Sequence, residues 1–156
     1  MRYIKLLTLA LVLIGAPTTT LGSLSSVVTA DKARTLTVVE HATSDTVVDT
    51  GPVGESLGDI LAFGNPIYST DNTTVIGRDQ GYCVRTNVGQ GWECNWTVLL
   101  DQGSLVVEGP FYDDLHDSEL AITGGSGAFR DARGEMTLHA RDAAGTEFDF
   151  IYHLSR

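Results

Sequence analysis

From Thr35 onward the chain keeps returning to a two-residue period. TLTVVEHA (35–42) alternates and is rich in β-branched side chains, which is the signature of a half-buried strand and not of a helix. DILAFGNPIY (59–68) runs into a turn at Ser69 to Asn72, and GYCVRTNVGQGWECNW (81–96) supplies a hairpin. SLVVEGPFY (104–112), SELAIT (118–123), GEMTLHARD (134–142) and TEFDFIYHL (146–154) complete a set of seven or eight strands. The segments DQG, GGSG and DAAG between them carry glycine where a tight turn needs positive φ. No segment shows an apolar stripe of helical period, and no internal repeat is visible. Strands this short, joined by hairpins, must close on themselves or stack to avoid exposed edges. The pattern predicts an all-β domain, a barrel or a sandwich; closed as an eight-stranded antiparallel barrel it would have room for one small ligand.

Alternation also sorts the side chains into faces. On TLTVVEHA, Leu36, Val38, Glu40 and Ala42 share the more apolar face, which places Glu40 inward with them. A carboxyl buried there would hold its proton or find a donor, and the amide of Asn65 is the donor expected. Two plainer readings stand beside this one. Glu40 can face solvent, and Asn65 can serve only to form the turn before Pro66.

Cys83 and Cys94 are placed symmetrically about a point between Val88 and Gly89, so a hairpin with its tight turn at residues 87 to 90 sets them opposite each other. Opposed β-carbons lie about 4.5–5.5 Å apart, and the twist of a hairpin brings them within reach of a disulfide. Two buried thiols, or a functional Cys83 beside an incidental Cys94, are the alternatives. Two cysteines are too few ligands for a metal, and His41, His116, His139 and His153 are scattered, so no metal or other cofactor is expected.

The N-terminus follows a different logic. Arg2 and Lys5 precede the apolar run Leu6 to Ala16, which is too short to span a bilayer and is followed by Pro17 and threonines. This is the layout of a secretory signal over residues 1–22, with cleavage after Gly22 or as late as Ala30, leaving a domain over 31–156. An N-terminal membrane anchor is the competing reading. Without Arg2 and Lys5 the remaining chain has a formal charge of about −12, which repels phosphate backbones and anionic lipid and disfavours nucleic-acid and membrane partners. The expected location is extracellular or periplasmic, where the acidity also keeps the domain soluble.

GDILAFGNPIY, GYCV, VEGPFYD, LAITGGSGAFRDARGEM and EFDFIY resemble, in order and spacing, the allene oxide cyclase and dirigent barrel superfamily, over Thr35 to Leu154. The resemblance implies an eight-stranded barrel with an apolar cavity, assembled as a trimer or dimer. On the cyclase side it implies Glu40 as a cavity carboxylate that stabilises developing charge and Asn65 as its polar partner, with Phe63 and Cys83 in the pocket wall. The cyclases' other asparagine corresponds to Ala42 here, so their water site would be incomplete. On the dirigent side it implies pocket roles for Arg133 and Glu119, but the acidic pair that dirigents carry after a phenylalanine is Gly64 and Asn65. Arg133 has a surface reading too, paired with Asp131 or Glu135. Phe111, in the GPFYD segment, completes the expected ligand-binding set. GGSGAF lacks the third glycine and the strand-loop-helix context of a dinucleotide loop, which makes it a hairpin connection.

The expected function is that of a secreted barrel binding a small apolar molecule. Catalysis of its cyclisation or isomerisation, by orientation and with Glu40 and Asn65 as the catalytic pair, needs neither nucleophile nor metal. A carrier or structural barrel without catalysis, and dirigent-type control of phenolic coupling, remain as alternatives.

Overall fold

The computed structural model describes residues 34–155; the leader expected over residues 1–22, and its alternative end at Ala30, lie outside them. One antiparallel sheet rolls into a closed barrel of eight positions. β1 (Arg34–His41) pairs along its length with the last strand (Glu147–Ser155). From that last strand the ring passes through the strands at Arg133–Ala140, Ser118–Gly125, Gly103–Tyr112 and Gly91–Leu100. In chain order these are β10, β9, β8, β7 and β6. β6 pairs with the long β5 (Val75–Asn87), and β4 (Pro66–Tyr68) bridges β5 back to β1.

The eighth position is shared. β3 (Ile60–Phe63) and β4 both lie against β5, so the single strand expected over 59–68 is broken at Gly64 and Asn65. The break has a local cause. Pro66 has no N–H to give a ladder, and the Asn65 N–H turns to the Asp79 carboxylate at 2.7 Å. β2 (Thr46–Val48), a short strand absent from the sequence pattern, pairs with β3 and is exposed throughout. It continues the line of β1 after the chain steps away at Ala42 to Asp45.

Cys83 and Cys94 face each other across β5 and β6 and are joined as a disulfide. Gln90 N–H donates to Asn87 C=O at 3.1 Å to close the turn at 87–90, Gly89 takes φ +70°, and Thr86 is the extra residue of a bulge. Helix is limited among the described residues to one 3-10 turn, Gly127–Phe129, in the β8–β9 connection.

Inside the barrel, Val98, Leu105, Val107, Ile122, Met136 and Tyr152 pack into the hydrophobic core. Trp96 also points inward, at the position opposite Gly81. A Cβ at residue 81 would collide with the Cβ of Trp96 and stand 2.6 Å from the Asn95 carbonyl. The missing side chain is the room that the indole occupies. Beyond Trp96 the interior is hollow.

Candidate functional site

The alternation of β10 sends Phe148 and Phe150 inward, β1 sends Glu40, and β5 sends Asp79, Gly81, Cys83 and Arg85. Together these strands wall a cavity of about 40 Å³. Its surface is largely aromatic: Phe63, Trp96, Phe111, Phe148 and Phe150. Trp96 is tilted on Phe150 with ring centres 5.5 Å apart and takes Phe63 edge-on at 6.0 Å, while Phe111 meets Phe148 edge-on at 6.0 Å. Leu61, Leu138 and the Cys83–Cys94 disulfide complete the apolar wall, and the polar lining comes from Glu40 and Asp45.

Glu40 is 6% exposed and receives a hydrogen bond at 2.9 Å from Asn65 Nδ2. The same nitrogen donates to Asp45 Oδ1 at 2.8 Å. Asn65 Oδ1 accepts from the backbone N–H groups of Thr43 and Ser44, each at 2.9 Å, and from Ser44 Oγ at 3.1 Å. Both donors and the acceptor of this amide are used. Only a carboxamide can do this, because the crossover from β1 to β2 offers N–H groups on one side and carboxylates on the other. Asn65 therefore fastens the break in the β3–β4 position to the step between β1 and β2, and it holds Glu40 in place as it does so.

Behind Glu40 lies Asp79, fully buried, with its backbone N–H donating to the Asn65 carbonyl at 2.9 Å. Burial, and after it the charge of Asp79, push the Glu40 carboxyl well above the usual carboxylate range; a bond between the two carboxyl groups adds to this, while the Asn65 donor opposes it. Burial raises Asp79 as well, but the bond from Glu40 and the Asn65 N–H work against that rise. Burial and the neighbouring carboxyl thus hold Glu40 toward its protonated form. Tyr152, also fully buried, is driven well above its ordinary range by desolvation and then by the two nearby carboxylates. Asp79 Oδ2, Tyr152 Oη and Trp96 Nε1 are buried without a hydrogen-bond partner.

The structure brings Glu40, Phe63, Cys83 and Phe111 to the cavity and sets Asn65 against Glu40. Glu119 and Arg133 are placed elsewhere. On β8 the inward residues are Ser118, Leu120 and Ile122, and on β9 they are Met136 and Leu138, so Glu119 and Arg133 fall on the outer face by parity. Glu119 accepts from Thr137 Oγ1, and Arg133 donates to the Ala132 carbonyl. The pocket roles implied for these two by the dirigent overlay are therefore not met. Arg133 forms no ion pair with Asp131 or Glu135 among the described residues. Asp79 was missing from the sequence reading, although it lies four residues before Cys83 and shares its face. Phe148 and Phe150 were equally available from the alternation of EFDFIY.

The family model for dirigent-like proteins matches residues 24–155. The chain belongs to the dirigent-like family. Among solved structures it is similar to a pyocyanin demethylase, 25% identical, covering 78% of this chain and 100% of that one, with a TM-score of 0.67. A pterocarpan synthase dirigent protein, 20% identical, covers 81% and 98% with a TM-score of 0.64. An exo-specific intermolecular Diels-Alderase, 12% identical, covers 80% and 98% at 0.59, a likeness of fold alone. In this dirigent-like barrel the polar groups at the cavity come from β1 and the β1–β2 step.

Proposed function

We propose that this dirigent-like protein is an exported barrel that binds one small, largely apolar molecule and guides its cyclisation or isomerisation. Glu40 carries the reading. It is a carboxyl among aromatic rings, held by an asparagine that has no freedom to do anything else, and it retains acceptor capacity toward the cavity. A structural barrel has no use for a carboxyl there, because burying one costs several kcal/mol unless it is compensated.

A carboxyl held by burial above the usual carboxylate range suits an isomerisation, in which one site of an unsaturated molecule gains a proton while another loses one and no co-reactant is consumed. Aromatic walls would hold a flexible chain in a folded shape, and orientation of that kind lowers a barrier by several kcal/mol. The neighbours named as a demethylase, a pterocarpan synthase and a Diels-Alderase differ in chemistry, so their shared fold supports a ligand cavity and leaves the reaction to the lining residues. The disulfide and the apolar N-terminal segment support export.

Mass spectrometry of the small molecules released on denaturing the purified protein, compared between the wild type and Glu40→Gln, tests this reading. The expected result is one dominant unsaturated compound, depleted at least about tenfold in the variant while the fold is retained. Equal retention by a folded Glu40→Gln protein would remove Glu40 from the site.

A further inference from the structure

The cavity's polar groups are of one kind. Its lining side chains are aliphatic, aromatic or disulfide sulfur except for Glu40 and Asp45, and both of these are carboxyls. Groups that could donate a hydrogen bond are either spent on protein partners or, like the unpartnered Trp96 indole nitrogen, do not open onto the space. The Asn65 amide spends its hydrogens on Glu40 and Asp45, and its oxygen takes up the N–H groups of Thr43 and Ser44. The Trp96 indole nitrogen is itself covered by protein, and the cysteines are joined and have no S–H.

Basic side chains are also turned away. Arg85, the inward cation of β5, is spent on Asp113 and Glu55 and covers the Trp92 ring, while Arg78 lies on the outer face and donates to Gln80. A wall of this composition offers acceptors and negative charge, and its aromatic faces add the attraction of ring quadrupoles for a cation. An oxyanion or a carboxylate would meet repulsion with no donor to offset it.

We infer that the cavity selects a ligand with a positively charged nitrogen on a flat unsaturated body, the nitrogen lying against Glu40 and Asp45 and the body between Phe63, Trp96, Phe111 and Phe148. This rests on the reading of the cavity as a ligand site and adds the ligand's chemical class. Asp45, exposed at the rim and held by Asn65, sets the charge preference, and Glu40 receives the head group within.

Isothermal titration calorimetry at neutral pH and physiological salt, which screens the acidic outer surface, tests it with three bicyclic probes. They are N-methylquinolinium as the cation, 1-methyl-2-quinolone as the neutral molecule and 2-naphthoate as the anion. The cation is expected to bind about tenfold more tightly than the quinolone, and the naphthoate most weakly. Asp45→Asn, which keeps the acceptor for Asn65, is expected to reduce the preference for the cation about threefold, and Glu40→Gln, which changes the group at the head of the cavity but not its charge, to weaken the cation and the quinolone alike. Equal or tighter binding of the quinolone or naphthoate overturns the charge class while leaving the cavity as a ligand site. Cation binding unchanged in both variants puts the cation on the outer surface and overturns the inference. Failure of all three to bind overturns the ligand-site reading itself. Should Glu40→Gln not fold, Asp45→Asn at the exposed rim decides the matter alone.

Discussion

At the scale of single residues, Asn65 is the cheapest place to see how the site is held. Its replacement by alanine leaves the N–H groups of Thr43 and Ser44 and the carboxyls of Glu40 and Asp45 without their shared partner. A loss of about 3 kcal/mol in chemical denaturation is expected, because each abandoned polar group costs about 1–3 kcal/mol. Glu40→Gln has the opposite character. The folded-state values of Glu40 and Asp79 are raised above those of the unfolded chain, so their favourable contribution is complete below about pH 4 and is lost as pH rises through the folded values. Thermal unfolding followed from about pH 4 upward should show the wild type losing stability relative to Glu40→Gln, which has no second charge to place beside Asp79. Parallel profiles would mean that the two carboxyls ionise as exposed ones do. Asp59, Asp71, Asp114 and Asp142 are lowered by the hydrogen bonds they accept and carry the reverse slope, confined to more acid solution.

Elements were legible where one face is buried and illegible where the chain breaks pattern to build the site. β8 to β10 follow simple alternation, β1 departs from it in that Val39 is covered as fully as Val38, and the hairpin with its disulfide follows from the placing of Cys83 and Cys94. The division of 59–68 into β3 and β4 does not, because it depends on Asp79, which lies 14 residues after Asn65 and draws its N–H out of the ladder. β2 carries no alternation at all, since it is exposed on both faces. The pocket aromatics of β10 were readable, whereas the outward placing of Glu119 and Arg133 depends on the register of β8 against β9, which an overlay of motifs does not contain. Two substitutions test the elements. Gly81→Ala should cost about 3 kcal/mol by forcing Trp96 and the β6 backbone apart. Replacing Cys83 and Cys94 together by alanine should cost about 3 kcal/mol, the chain-entropy value for a loop of this length. Denaturant midpoints equal to the wild type's would show that the strand pairing tolerates either change.

For the whole molecule, the question is what keeps an eight-position barrel closed when two of its positions are broken at the same end. The β1–β2 step and the β3–β4 break leave β2 held by β3 alone, and the loop that follows it is exposed over residues 49–55. Arg85 supplies the brace. It is 4% exposed, donates from Nη1 to both oxygens of Asp113 just past β7 and from Nη2 to Glu55 in that loop, and lies 3.7 Å over the Trp92 ring. Trp92 Nε1 donates to Asp113 in turn, and the Arg85 N–H donates to the Asp59 carbonyl. The Asp59 carboxylate then gathers the N–H groups of Thr50 and Ser56. One cation thus connects β5, β6, the end of β7 and the β2–β3 loop. Arg85→Met keeps the bulk of the side-chain stem but not the charge or the fork of donors, and about 2 kcal/mol of stability should be lost. The distribution of that loss is the sharper measurement. In native-state hydrogen exchange the amides of Thr50 and Ser56 should lose more protection than the global change accounts for, while those paired between β8 and β9 should lose only the global amount. A uniform loss across all of these amides would mean that Arg85 contributes to the core in general and that the loop at the open end is held by Asp59 without it.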